Sequence, residues 1–450
     1  MIDINSITLF ANVRDSALLR SLHKTLRLLA LEHHEAPKIA PRLARSWAKF
    51  SATIAGFEVN APSFYHALTF LTLTDDNQFT HAAETGAELP PLLAALAKTD
   101  LSRLGRIAVY DVAALGVQVA GRLRNAGFEQ AAHGIEVEAH ALNAAGVQQA
   151  HNSVFPAQGD WGERLPAFVE YLKANGAGQV GLYHAFHWGG ALADGALTPV
   201  RKPDPVRLAD LSGYEEQRSV VVANTLRFLE GGSANNLLLY GDRGTGKSAT
   251  VKAICNEYAV RGLRLLELPK QSLSELSLIL ETLGSRAMRF IIFIDDLSFE
   301  AIDDFFTSLK MLLEGGIEAR PANVVIYATS NRRHLVKERF ADRPTAAQAD
   351  SEVRAFDTMQ EQFSLADRFG LTVVYTSPSQ DEYLSIAEHI ATQRGILLPE
   401  TYAAERGVFR ENAIRWERWF NGRSPRTAVQ YVDWLAGGAG FPWLTLAESR

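Results

Sequence analysis

The stretch Asn236-Leu-Leu-Leu-Tyr-Gly-Asp-Arg-Gly-Thr-Gly-Lys-Ser-Ala-Thr250 constrains this chain more than any other. Its apolar run reads as a buried strand, its glycines as a turn, and the residues after them as the start of a helix. Gly241 to Ser248 fits the phosphate-binding pattern G-x-x-x-x-G-K-[S/T]. Glycines let successive N–H groups converge on phosphate oxygens without side-chain clashes. The helix opening at Lys247 adds its positive end. Lys247 has the reach to touch β- and γ-phosphates, and the Ser248 hydroxyl is a ligand for Mg²⁺. A chance match in a loop would not be followed by Val251, Ile254, Cys255 and Tyr258 at helical spacing. Gly241, Asp242, Arg243, Gly244, Thr245, Gly246, Lys247, Ser248 and Ala249 are therefore expected to hold a nucleotide.

Two further apolar runs end in polar residues. Phe290-Ile-Ile-Phe-Ile-Asp-Asp-Leu297 would deliver Asp295 and Asp296 to the end of a buried strand. Asp295 is expected to hold Mg²⁺ through water, and Asp296 to polarise an attacking water. Val324-Val-Ile-Tyr-Ala-Thr-Ser-Asn-Arg-Arg333 would bring Thr329, Ser330 and Asn331 to the same edge, where open α/β sheets bind ligands. An amide such as Asn331 there can hold the water or touch the γ-phosphate; the plainer alternative is a turn residue satisfying its own backbone. Arg426 follows Ser424 and Pro425, a pair suited to N-cap and first helical positions. A cation in a first helical turn is out of place unless an anion joins it. Arg368, just before the last strand, completes the set; an isolated arginine is otherwise a surface ion-pair partner.

The chain has 450 residues, enough for two or three domains, and its 47% hydrophobic content supplies a large core. A net charge of -6 gives no overall pull toward nucleic acid. Arg332, Arg333, His334, Lys337 and Arg339 form a local basic run, read more readily as a solvated face than as a nucleic-acid contact. The single cysteine, Cys255, excludes an internal disulfide framework and reads as a small core residue. The N-terminus lacks the basic and apolar regions of a signal peptide, and no apolar run is long enough to cross a bilayer, so a cytoplasmic protein without membrane contact is expected.

Residues 1–195 carry no legible motif and are expected to form a separate α-rich or mixed domain. Helical spacing is visible in Asp15–Leu31 and Pro90–Ala97, and Arg106–Asp111 reads as a short strand before a helix over Ala113–Asn125. His184 and His187 beside Trp188 read as an aromatic patch rather than a metal site. Residues 196–206 are proline-rich and read as a stiff linker. Over 207–377, strands at 236–240, 263–268, 290–294, 324–328 and 371–375 alternate with helices, one of them capped by Ser272-x-x-Glu275. That alternation implies a parallel sheet covered on both faces. Phe340–Gln362 is polar and alanine-rich and reads as a mobile insertion. Residues 378–450 read as a small helical domain whose first helix opens at Ser379-x-x-Glu382, with further helices within Glu400–Phe420 and Pro425–Leu435.

Taken together, the motifs from about Asp204 to Leu435 resemble the AAA+ ATPases. In that family's order, Gly241–Ser248 would be Walker A, Asp295 and Asp296 Walker B, Asn331 sensor 1, Arg368 the arginine finger and Arg426 sensor 2. Leu208-Ala-Asp-Leu-Ser-Gly-Tyr-Glu-Glu-Gln217 looks like the adenine-side segment, with Gly213 and Tyr214 near the base. Pro203-Asp-Pro-Val-Arg-Leu, Ala234-Asn-Asn and Ala328-Thr-Ser-Asn-Arg-Arg-His-Leu are more closely similar to a bacterial AAA+ group of unknown function, akin to the helicase-loader and initiator branch. The resemblance implies a P-loop core with a five-stranded parallel sheet, a helical lid, ATP and Mg²⁺ as ligands, and a homo-oligomer in which Arg368 reaches a neighbour's site. It implies ATP hydrolysis that remodels or loads a macromolecular partner; an unidentified protein is the favoured partner, with nucleic acid the alternative.

One departure bears on turnover. Most members carry Asp-Glu where this chain has Asp295-Asp296, and the shorter Asp296 has less reach to water. Glu300 lies close in sequence, in the following helix. A nucleotide-gated switch with slow hydrolysis is thus the alternative to a motor. A GTPase would need an N-K-x-D motif, which is missing. An ABC-type signature would follow the glycine loop, whereas Leu211–Gln217 precedes it. A small-molecule kinase would leave Asn331 and Arg368 unexplained.

Overall fold

The computed structural model describes residues 4–31, 36–57, 63–144, 154–190, 197–297, 320–331, 369–396, 403–420 and 422–438. Glu300, the basic run from Arg332 to Arg339, the segment 340–362 and Arg368 lie outside the described residues. The chain forms two compact units, Met1–Leu182 and Tyr183–Arg450.

The described part of the first unit is helical: α1 (Ala11–Arg14), α2 (Ala17–Leu29), α3 (Ala36–Ala55), α4 (Phe64–Leu73), α5 (Gln78–Glu84), α6 (Pro91–Ala108), α7 (Val112–Asn125), α8 (Glu129–Ala144), α9 (Leu165–Asn175) and α10 (Gly178–Leu182). Trp47, Phe50, Phe79, Phe155, Trp161 and Phe168 fill its core. The strand expected at Arg106–Asp111 does not form. Ile107 and Ala108 complete the buried face of α6, and Asp111 caps α7 by accepting the Ala114 N–H at 2.9 Å. A side chain that satisfies an orphan helix N–H stabilises a helix start in place of an extended run. Asp100, with no exposed surface, ties α6 to the chain's first turns. Its Oδ2 accepts the N–H groups of Thr8 and Leu9 at 2.8 and 2.7 Å, and its Oδ1 accepts from Arg103 at 3.2 Å.

The second unit holds a sheet of β1 (Ala185–Trp188), β2 (Leu197–Pro199), β3 (Leu237–Gly241), β4 (Leu263–Glu267), β5 (Arg289–Ile294), β6 (Val324–Ser330) and β7 (Leu371–Tyr375). The order is β2-β1-β4-β5-β6-β3-β7, with every pair parallel except β1 with β2. Strands β3 and β6 are buried along their whole length, as near-continuous apolar runs in a parallel sheet should be. Helices α11 (Glu215–Leu229), α12 (Lys247–Tyr258) and α13 (Leu276–Gly284) belong to the same layer structure. Because β6 lies between β3 and β5, the ends of the three motif-bearing strands meet.

The sheet therefore has seven strands, not five. Ala185-Phe-His-Trp pairs in parallel with β4, burying Phe186 and Trp188, and β2 closes that edge. The unit boundary accordingly falls at Tyr183, and Leu197–Pro199 of the expected linker is an edge strand, where the missing proline N–H is tolerated. The histidines divide: His184 Nε2 meets Asn256 Oδ1 at 3.1 Å, and His187 Nδ1 faces Glu267 at 3.6 Å. No cluster of metal-ligating side chains occurs among the described residues. The Ser272 cap is also corrected. Lys270–Glu275 is a 3-10 turn, so no helix starts at Ser272, and Glu275 accepts the Trp188 indole N–H at 2.5 Å.

Helices α14 (Gln380–Gln393), α15 (Ala403–Trp419) and α16 (Pro425–Ala436) form a small helical bundle, the part expected to be the lid. Its small core contains Tyr383, Ile386, Phe409, Trp416 and Tyr431. Both caps form as expected: Ser379 Oγ accepts the Glu382 N–H at 3.3 Å while Glu382 accepts the Ser379 N–H at 2.7 Å, and Ser424 Oγ accepts the Thr427 N–H at 3.1 Å. Among the described residues, no single helix is long and apolar enough to cross a membrane.

Candidate functional site

The glycine loop leaves β3 at Gly241, whose φ of 136° only glycine adopts readily. A Cβ there would lie 2.0 Å from the Tyr375 carbonyl, so the loop can pass β7 only without a side chain. Gly246, at φ 91°, is the N-cap of α12. Lys247 follows it, buried, with Nζ donating to the carbonyls of Gly241 at 3.0 Å and Asp242 at 2.7 Å. Burial lowers the Lys247 pKa to about 8, against the opposing pull of Asp242, Asp295 and Asp296. The loop thus holds a desolvated cation amid convergent backbone groups, the chemistry that favours a phosphate. Thr245 donates to the Asp242 carbonyl at 2.9 Å, while Arg243 is exposed. Ala249 continues α12 behind Ser248.

Ser248 Oγ donates to Asp295 Oδ1 at 2.6 Å, which joins the start of α12 to the end of β5. Thr329 Oγ1, on β6, donates to the same oxygen at 2.5 Å and accepts the Asp296 N–H at 2.9 Å. Asp296 adopts φ 52°, a left-handed conformation that non-glycine residues seldom take and that clusters at functional sites. Its Oδ1 accepts from Asn331 Nδ2 at 2.6 Å. Lys247, Ser248, Asp295, Asp296 and Asn331 are thus connected, as the sequence order suggested. Sequence reading brings Thr329 to this edge with Asn331 but gives it no role of its own. The available signal is the period of two along β6, which places Thr329 and Asn331 on one face.

The segment 208–217 lies beside α14. A cavity of about 620 Å³ is lined by Leu211, Ser212, Gly213, Tyr214, Ile386 and His389, among others. Tyr214 has φ 60°, and its hydroxyl donates to the Thr376 carbonyl at 2.6 Å with its ring 5.2 Å from that of Tyr375. Burial, then the Glu382 charge, raises the Tyr214 pKa, so the phenol stays protonated and donating. Gly213 sits at φ 74°, where a side chain is strained, and a Cβ there would stand 2.8 Å from Ile386 Cδ1, which would have to shift. Ser212 Oγ is buried and has no hydrogen-bond partner among the described residues, an uncommon state for a native hydroxyl.

Two contacts connect the loop to the lid and its approach. Asp242 accepts the Ser377 N–H at 2.8 Å and the Ser377 hydroxyl at 2.5 Å. The Arg426 N–H donates to the Gly244 carbonyl at 3.2 Å. A Cβ on Gly244 would meet Ser424 Oγ at 2.9 Å, so this glycine lets the first turn of α16 approach the loop. After burial, the Arg426 charge adds a smaller part to the lowering of the Lys247 pKa.

A family model described as "Protein of unknown function (DUF815)" matches residues 181–439, a span that begins just before β1 and ends beyond α16. No curated protein matches the chain. Among solved structures, it is similar to a Thermotoga maritima RuvB variant at 16% identity and TM-score 0.34, over 51% of this chain and 63% of that one. It is also similar to C. elegans PCH-2 at 16% identity and TM-score 0.32, over 49% of this chain and 62% of that one. The chain thus spans less than two thirds of the length of either structure.

Proposed function

This chain belongs to the DUF815 family, and from the chemistry of its site we propose that it is an ATP- and Mg²⁺-dependent ATPase of AAA+ type. The observation that carries this reading is the buried Lys247 in a glycine loop, beside the Ser248–Asp295 hydrogen bond. Loop amides and Lys247 would receive the phosphates. The base would enter the cavity beside Tyr214, where the unpartnered Ser212 hydroxyl and the available volume suit it. Ser248 and Asp295 are an oxygen donor pair of the kind that a hard divalent cation prefers, and would hold Mg²⁺. Such an ion neutralises charge on the β- and γ-phosphate oxygens when bound. Asp296 would orient water, with Asn331 reporting on the γ-phosphate. Arg426 would convey occupancy to the lid, and Arg368 would complete the site of a neighbouring copy.

The work done would be remodelling or loading of a macromolecular partner, with the helical unit as the partner-binding part and the chain acting as a homo-oligomer. Lys247→Ala is expected to weaken ATP binding by roughly 30-fold or more, the loss typical when a buried charge pair loses one member. Unchanged affinity in a calorimetric titration would refute the site. A second reading, a nucleotide-gated switch, is favoured by the Asn331–Asp296 bond, which occupies the carboxylate that would activate water. Steady-state turnover separates the two: a motor hydrolyses continuously and responds to its partner, whereas a switch retains its nucleotide for many minutes.

A further inference from the structure

Thr329 is fully buried at the end of β6, and its hydroxyl is engaged on both sides. It donates its one proton to Asp295 Oδ1 at 2.5 Å and accepts the Asp296 N–H at 2.9 Å. The backbone of the same residue accepts the Leu297 N–H at 2.7 Å, so the turn after β5 is fastened to β6 through Thr329 twice over. Asp296 sits at φ 52°, a conformation that needs such support to persist. Ser248 donates to the same Asp295 oxygen as Thr329. Asp295 Oδ2 makes no hydrogen bond among the described residues, and two hydroxyls on Oδ1 fix the direction in which Oδ2 points.

We infer that Thr329 is the positioning residue of the site: its hydroxyl aims Asp295 Oδ2 at a divalent cation and holds the Asp296 backbone in its left-handed turn, without touching nucleotide. The inference rests on the nucleotide reading above. It also accounts for a hydroxyl at a position where a buried parallel strand would ordinarily carry valine or isoleucine. Outer partners of metal ligands commonly set affinity by one to two orders of magnitude.

The test compares Thr329→Val, which keeps the shape and removes the hydroxyl, with Thr329→Ser, which restores it. Binding of a fluorescent ATP analogue to the full chain is measured in chelator and then across a Mg²⁺ titration. For Thr329→Val, affinity in chelator should stay within about twofold of the parent, while the Mg²⁺ concentration for half-maximal tightening rises about 10- to 100-fold. Thr329→Ser should return that midpoint to near the parental value. A parental midpoint in Thr329→Val, or a Thr329→Ser variant as impaired as Thr329→Val, overturns the inference. If Thr329→Val does not fold, Thr329→Cys supplies the same comparison, because a thiol is a weak donor of similar size. A parent chain that binds no analogue in either condition refutes the nucleotide reading itself, a result distinct from a parent that binds and a variant that matches it.

Discussion

Asp100 in the helical unit and Asp295 in the sheet unit are both surrounded by donors, yet the donors are distributed differently. Asp100 spends both oxygens: two backbone N–H groups on Oδ2, the Arg103 guanidinium on Oδ1, and no surface left exposed. Asp295 collects the Ser248 and Thr329 hydroxyls and, at 3.2 Å, the Asp296 N–H, all on Oδ1, and is half-buried. The first carboxylate is a structural rivet with its hydrogen-bonding capacity filled from within. The second keeps Oδ2 without a hydrogen-bond partner among the described residues. Burial and charge do not distinguish a working carboxylate from a structural one; the allocation of its lone pairs does.

One substitution, made at both places, challenges that contrast. Asp100→Asn must turn an NH₂ group toward donors whichever way the amide is placed. It should lower the stability of the helical unit by about 1–3 kcal/mol, since it leaves the partly buried donors of Thr8, Leu9 and Arg103 facing another donor. Urea denaturation followed by tryptophan fluorescence measures this, and a loss near zero would dissolve the distinction. A smaller effect comes from Lys247. Its folded pKa of about 8 lies below the ordinary 10.5, so the folded chain binds fewer protons than the unfolded one between those values. Stability should therefore be flat below pH 8 and rise from there toward pH 10.5. ATP affinity should fall over the same window, because binding then requires proton uptake. Lys247→Met should abolish both trends, read by denaturation and by titration at several pH values. The smallest effect is on the stability of Asp295→Asn, where the amide oxygen can keep every Oδ1 contact while its NH₂ takes the open position. Unfolding should change by less than about 1 kcal/mol, while the Mg²⁺ dependence of nucleotide binding is lost. A large destabilisation would make Asp295 a second rivet.

Legibility in the sequence followed the range of the interactions concerned. The strands of the core were readable because each is a local apolar run, and Leu371–Tyr375 forms as expected. Ser379 and Ser424 were readable as caps because their partners lie three residues away. The Ser272 cap failed because Glu275 serves Trp188, 87 residues distant in sequence. Strand β1 was missed because four residues carry too little periodicity to register, and their pairing with β4 is non-local. The same division runs through the site. Lys247, Ser248, Asp295, Asp296 and Asn331 were legible from motif order, and the sheet brings them together. The hydroxyls of Thr329, Ser377 and Ser212 were not, since a hydroxyl takes its meaning from what faces it across the sheet or the cavity.

The ammonium of Lys247 rests on carbonyls of its own loop. An incoming phosphate must outcompete those oxygens, and a departing one leaves them free to take the ammonium back. The loop therefore carries a resident rival for its own cation. On the nucleotide reading proposed above, it would temper the grip on nucleotide and hasten release of product, so that emptying the site would not strand an unsolvated charge inside the protein.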